Sequence, residues 1–181
     1  MNRADSNNIA KQLPMKFIFA MILLSGLINL QSCSYSFTGA SVPSHIKTIS
    51  IPIFTDRSGS GEFDLNTKLS NKLIQKFLDD NTLLISDRTK SDSILEGTIV
   101  TLSDAAAVVA GGEKVASRRI TITVRTVYKD LVKKVTVFDK NFSNYGDYVT
   151  GGDITAVRRQ AIDTAIDRIT EDILLGVVSN W

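Results

Sequence analysis

Residues 118–129, Arg-Arg-Ile-Thr-Ile-Thr-Val-Arg-Thr-Val-Tyr-Lys, decide the fold. Ile120, Ile122, Val124 and Tyr128 fall on one side of an extended chain; Arg119, Thr121, Thr123, Arg125 and Lys129 fall on the other. Alternation with a period of two marks a strand with one buried face. Such a strand needs an apolar layer over that face. Leu65, Leu69, Leu73 and Phe77 recur every four residues among Lys68, Lys72, Gln75 and Lys76, which predicts an amphipathic helix over 63–80, ended by Asp79-Asp80-Asn81. Ile154, Val157, Ala161, Ala165, Ile169 and Ile173, with Ile162 and Ile166 beside them, predict a second helix over 154–178 with Asp153 as its N-cap.

The remaining segments supply more strands. Ile49, Ile51 and Ile53 alternate with polar residues in 46–54, and Pro52 suggests an edge or terminal position. Asp56-Arg-Ser-Gly-Ser-Gly61 is a loop, and Leu83–Ser86 a short strand. Ser93–Leu102 is longer, with Ile94, Glu96, Thr98 and Val100 on one face and Leu95, Gly97, Ile99 and Thr101 on the other. Residues 103–117 read as a long hairpin connection or a strand extension. Asp130-Leu131 suits a tight turn, Lys133–Phe142 the next strand, and Tyr145–Asp153 a glycine-rich link. The main order is β-α-β-β-β-α. The first β-α-β implies a parallel pair, and the later short links imply antiparallel pairs. The expected fold class is α+β: a two-layer sandwich with two helices packed on one face of a mixed four-stranded sheet.

Ahead of this domain lies an apolar run, Phe17–Leu30, followed by Gln31-Ser32-Cys33. Fourteen residues are short of the roughly 20 needed to span a bilayer. The run follows Lys16 and reads as the hydrophobic core of a signal peptide. Leu30-Gln-Ser-Cys33 is similar to a lipobox, although Gln31 is unusual there. Cys33, the only cysteine, is placed to become the acylated first residue of a bacterial lipoprotein. Two or more acyl chains, such as palmitate, give stable anchoring where one does not. The expected organisation is a signal peptide over 1–32, a lipidated N-terminus and tether over 33–45, and the domain over 46–181. Met15 would start a more ordinary leader than Met1. Ser-Tyr-Ser-Phe after Cys33 carries no acidic run, which points to an outer-membrane location facing the periplasm.

Cleavage before Cys33 would leave 149 of the 181 residues, one domain able to bury about 68–70% of its unfolded surface. Of 21 basic and 19 acidic residues, Arg3, Lys11, Lys16 and Asp5 precede Cys33, so 18 of each remain. A balanced domain gives no support to nucleic-acid binding. The one histidine, His45, lies in the tether next to Pro43, with no nucleophile partner in sequence reach. One histidine and one consumed cysteine cannot build a zinc site. No nucleophile elbow, phosphate loop or dinucleotide fingerprint occurs, so no enzyme activity and no cofactor are expected.

Lys114, Arg118 and Arg119 cluster where the 103–117 connection enters its strand, and Arg125, Lys129, Lys133 and Lys134 continue along the hairpin. Lysine and arginine pair well with phosphate, arginine in a bidentate manner. The bland alternative is a strand edge protected by its charges. The same choice applies to the polar face of Arg119, Thr121, Thr123 and Arg125: solvated, or a surface for a partner or an anionic ligand.

Cys33-Ser-Tyr-Ser-Phe-Thr-Gly39, Ile46-Lys-Thr-Ile-Ser-Ile51, Asp92-Ser-Ile-Leu-Glu-Gly-Thr-Ile99 and Arg158-Arg-Gln-Ala161 together resemble the LptE family of lipopolysaccharide-assembly lipoproteins. Ser34 stands where that family commonly has glycine. The resemblance implies two helices on a mixed sheet. It implies a lipoprotein that plugs and helps assemble an LptD-like outer-membrane β-barrel and binds lipopolysaccharide in transit. It also implies Lys114, Arg118 and Arg119 as lipopolysaccharide-binding residues. The competing resemblance, from Ile49-Ser-Ile-Pro-Ile-Phe-Thr-Asp56, is to the β-α-β start of TolB N-terminal, CsgG-like or LpoB-like accessory domains. Those domains continue with more β-α alternation than this chain offers.

Overall fold

Among the described residues, six strands and two helices follow in the order β1 (Thr48–Ser50), β2 (Thr55–Asp56), α1 (Leu65–Asp80), β3 (Leu84–Ile85), β4 (Ser93–Ala106), β5 (Ser117–Asp130), β6 (Val135–Val149) and α2 (Ile154–Ser179). The computed structural model describes residues 42–107 and 117–179; Cys33, the leader and Lys114 lie outside them. The strands form one mixed sheet in the order β3-β1-β4-β5-β6, with β2 pairing β4 beyond the end of β1. β1 is parallel to β3 and β4, β2 is parallel to β4, and the β4-β5-β6 meander is antiparallel. The α+β class matches expectation, but the sheet has six strands rather than four.

Of the two extra strands, one is the short β3, which the four-strand order left out, and the other comes from the first strand breaking in two. Ser50 pairs with Ile94 but Thr55 pairs with Thr98, so β1-β2 carries one residue more than the β4 stretch opposite it. Pro52 lies in the break, where it owes no ladder bond. β1 is flanked by β3 and β4, so the proline marks this gap rather than an edge. Phe54 swings inward from the gap and is buried, its backbone N–H donating to Ser70 Oγ of α1 at 2.9 Å. Its ring lies over Gly97, where any Cβ would collide with it.

Both helices pack into a single core with the inner sheet face. α1 contributes Leu65, Leu69, Leu73 and Phe77, and α2 contributes Ala161, Ala165, Ile169 and Ile173. They meet Leu95 and Ile99 of β4 and Ile120, Ile122, Val124 and Tyr128 of β5. Burying each large side chain supplies about 1.5–3 kcal/mol. Asn81 ends α1 in a left-handed conformation (φ 55°), with its N–H on the Phe77 carbonyl. Asp153 caps α2 as expected, its Oδ1 accepting from the Ala156 N–H at 3.1 Å.

Two strands depart from the sequence reading. β4 runs to Ala106, so residues 103–106 of the uncertain 103–117 segment are strand. Val100 is a bulge between the Ile99–Val124 and Thr101–Thr123 pairs. The bulge reverses the alternation beyond it: Thr101 faces outward, and Leu102 and Asp104 face inward opposite Ile122 and Ile120. β6 extends to Val149, through the stretch expected to be a glycine-rich link.

The start of the domain is fastened, not loose. Val42 packs against the core. His45 Nε2 lies 2.7 Å from Oδ2 of Asp130, the last residue of β5, whose side chain is 2% exposed. Asp92 grips the start of β1, accepting from the Lys47 N–H (2.9 Å), the Thr48 N–H (3.0 Å) and the Thr48 hydroxyl (2.9 Å). Burial pushes the Asp130 carboxyl up, but the His45 ring and the Lys133 N–H outweigh it and hold the group below the usual carboxylate range. A depressed carboxylate stabilises the fold above its unfolded value and loses that contribution as pH falls through the folded one. The protein is therefore expected to melt markedly lower at about pH 3 than at pH 6, by calorimetry. Asp130→Asn should be less stable at pH 6 yet lose less across that interval; an equal loss would exclude Asp130 as a source.

Candidate functional site

Register places Arg118 and Arg119, neighbours in sequence, on opposite faces of β5. Arg118 lies opposite Tyr148 and Ala106 on the helix-bearing face, and Arg119 opposite Asp147 and Ala105 on the other. The two expected site residues therefore belong to two different environments. Lys114 lies outside the described residues.

The inner environment is an ion network at the end of the sheet where β4, β5 and β6 meet α2. Arg118 Nε donates to Asp104 Oδ1 at 2.7 Å and to the Tyr148 hydroxyl at 3.1 Å, and its Nη2 donates to the Asp104 carbonyl at 3.0 Å. The Tyr148 hydroxyl donates to Asp104 Oδ2 at 2.8 Å. Arg158, from the first turns of α2, donates from Nε to Asp104 Oδ2 at 3.3 Å and from Nη1 to Glu62 Oε2 at 2.7 Å. β5, β6 and α2 thus converge on the Asp104 carboxylate of β4, and the loop before α1 joins through the Glu62–Arg158 pair. Burial raises Asp104, yet the bonds from Tyr148 and Arg118 and the Arg118 charge hold it below its usual range. Burial and the bond to Asp104 push Tyr148 up. Glu62 leads the groups that raise Arg158. These shifts hold Asp104, Tyr148, Arg118 and Arg158 in their neutral-pH charge states, so the network positions guanidinium groups rather than transferring protons.

The outer environment is a ladder of cross-strand pairs. Arg119 grips Asp147 in a bidentate manner (2.6 and 2.9 Å), Thr123 meets Ser143 at 3.1 Å, and Arg125 grips Asp139 (2.8 and 2.6 Å). Lys129 and Arg88 share Glu96 at 2.6 and 3.3 Å. Each cation that β5 presents on this face is paired with a carboxylate, so the face is less basic than the β5 side chains alone suggested. At one place cations gather around a ring. The Tyr145 ring has the Arg119 guanidinium 3.7 Å from its centroid and that of Arg168 at 5.4 Å. Arg168 reaches round the β6 edge to the Tyr145 carbonyl at 2.9 Å. Two cations thus flank one aromatic ring and one carboxylate, Asp147.

Between these environments a hollow of about 330 Å³ opens against α2, walled by Ser117, Tyr148, Val149, Val157 and Thr164. Phe63 and Ile154, which adjoin Glu62 and the start of α2, are 82% and 51% exposed. The end of the sheet therefore combines guanidinium groups with uncovered apolar surface. The sequence marks Arg158 only through the family resemblance, and Glu62, Asp104 and Tyr148 carry no motif. The Val100 bulge that turns Asp104 inward has no signature in the local sequence.

The lipopolysaccharide-assembly family model, LptE, matches residues 46–175. No curated protein matches the chain. Among solved structures, the chain is similar to the protein CT253 from Chlamydia trachomatis, with TM-score 0.58 and 10% identity, covering 73% of this chain and 95% of that one. It is also similar to protein XCC0632 of Xanthomonas campestris, from the DUF330 family, with TM-score 0.58, 13% identity and coverage of 76% and 89%. At such identities these two likenesses concern the fold alone.

Proposed function

The chain belongs to the LptE lipopolysaccharide-assembly family, and from that premise we propose that it is an acylated envelope lipoprotein which sits as a non-catalytic plug in an LptD-like outer-membrane β-barrel and handles lipopolysaccharide in transit. The observation that carries this reading is the extent of the family match, residues 46–175, which takes in all six strands and nearly all of α2. Cys33 supplies the anchor and holds the domain on the periplasmic side of the outer membrane.

In this reading the sheet end meets the phosphorylated part of the lipid. Arg118 and Arg119 belong to that end but do different work; Lys114, expected beside them, lies outside the described residues. Arg119, with its side chain 42% exposed, contacts phosphate from the outer face, where a phosphate competes with Asp147 for its fork. Arg118, bonded to Asp104 and Tyr148, holds the end of the hairpin in shape.

Changing Lys114, Arg118 and Arg119 together to Glu is expected to weaken lipopolysaccharide binding by a factor of ten or more, since each charge-assisted bond contributes about 1.5–3 kcal/mol. Arg119→Gln alone should account for most of the loss with little change in melting temperature. Arg118→Gln should show the reverse. A pull-down on lipopolysaccharide-bearing vesicles, paired with thermal melts, separates the two roles. Binding unchanged in the triple variant would remove these residues as a site.

A further inference from the structure

We propose that Arg158, held in place by the Asp104–Arg118 pair, forms an anion site for a phosphate group, closed in this conformation by the chain's own Glu62. The two guanidinium groups meet two carboxylates, but not on equal terms. Asp104 gives its shorter bonds, 2.7 and 2.8 Å, to Arg118 and Tyr148, and only a 3.3 Å bond to Arg158. The close partner of Arg158 is Glu62, at 2.7 Å. With Glu62 in place the cluster is neutral. With Glu62 withdrawn it carries one net positive charge and a planar fork of donors without a matching acceptor, which suits a phosphate oxygen pair.

Glu62 lies on the loop before α1, which few bonds tie to the rest of the domain. Among the described residues, the bonds made by residues 58–62 within their own loop span two positions: Ser58 N–H to Asp56 Oδ1, Ser60 N–H to Ser58 Oγ, and Glu62 N–H to Ser60 Oγ. The bond from this stretch to the rest of the domain is the Glu62–Arg158 pair. Gly59 and Gly61 sit at φ 66° and 69° with open space around them. Asp64, just beyond, holds a left-handed conformation (φ 57°) with no side-chain cap for α1, a conformation that non-glycine residues disfavour. The apolar surroundings fit a phosphate carried on a lipid: Phe63 and Ile154 are exposed beside the pair, and Val149 and Val157 wall the adjoining hollow.

The inference deepens the lipid-handling reading and rests on it for the source of the phosphate. Glu62→Gln keeps the size of the side chain and removes its charge. The test measures binding of the full chain and of this variant to two probes: inorganic phosphate, and phosphatidylcholine vesicles with and without lipid A. Glu62→Gln is expected to bind roughly tenfold tighter than the parent, the size of one charge-assisted hydrogen bond. Adding Arg158→Gln should cancel the gain. A gain with inorganic phosphate marks a site for free phosphate, and a gain confined to lipid A vesicles marks a headgroup that needs its chains; either supports the latch. A folded Glu62→Gln protein, judged by circular dichroism, that binds both probes no better than the parent overturns it. In that case parent binding that still depends on Lys114, Arg118 and Arg119 leaves the lipid-handling reading standing.

Discussion

Replacing Gly146 with alanine is expected to lower stability by about 2–3 kcal/mol and the melting temperature by roughly 5–10 °C. Gly146 lies within β6, opposite Ile120 on the helix-bearing face. An added Cβ there would run into the backbone carbonyl of Ala161 in α2, with the carbonyl carbon 2.8 Å away. The obstacle is main chain, so no rotamer change relieves it, and the helix must lift from the strand. That displacement opens gaps beside Ala161, Ala165 and Ile162, all at the heart of the core. Gly151→Ala is the control: nothing lies within 4 Å of a Cβ at that position, and it should melt close to the parent. Equal effects at the two glycines would mean that backbone entropy, not close packing, governs both.

Asp104→Ala should give the second largest effect. It strips the acceptor from Arg118, Tyr148 and Arg158 at once. Breaking a fully buried pair costs about 3–5 kcal/mol. Asp104 is 23% exposed and partly screened by solvent, which brings the expectation to about 1–2 kcal/mol, or roughly 5 °C in melting temperature. Hydrogen exchange should quicken at residues 102–106 and 117–120, the ends of β4 and β5, before it changes elsewhere. Asp139→Ala removes an outer pair of similar length, Asp139–Arg125, whose side chains are 40% and 58% exposed. It should leave the melting temperature almost unchanged. Equal losses would show that the inner network adds nothing to an ordinary surface pair.

Both predictions come from places where sequence and structure part. Helix positions and strand order were legible because burial imposes a period: four-residue spacing from Leu65 to Phe77 and two-residue spacing from Ile120 to Val124 survive any detail of packing. The splits and shifts were not. The division of the first strand around Pro52 depends on Phe54 settling over Gly97 and bonding to Ser70, contacts distant in sequence. The length of β6 was hidden because Gly146 reads locally as a link residue, whereas its role is to let α2 approach. At the site, the separation of Arg118 from Arg119 was legible: strand alternation already put Arg118 with Ile120 and Arg119 with Thr121. What could not be read was the carboxylate each would meet, because the Val100 bulge turns Asp104 inward and register alone places Asp147 beside Arg119.

The two arginines also link fold to function. The same β5 strand that builds the core presents one guanidinium to an internal network and the other to an aromatic, partly exposed corner with Tyr145 and Arg168. In the proposed function this end meets the phosphorylated glycolipid, while His45 and Asp92 fasten the start of the domain.

The most direct test of that account is affinity purification of the full chain from its native envelope, followed by mass spectrometry of what it retains. The account predicts recovery of a large outer-membrane β-barrel of the LptD type. Recovery of cell-wall synthases with no such barrel would contradict it.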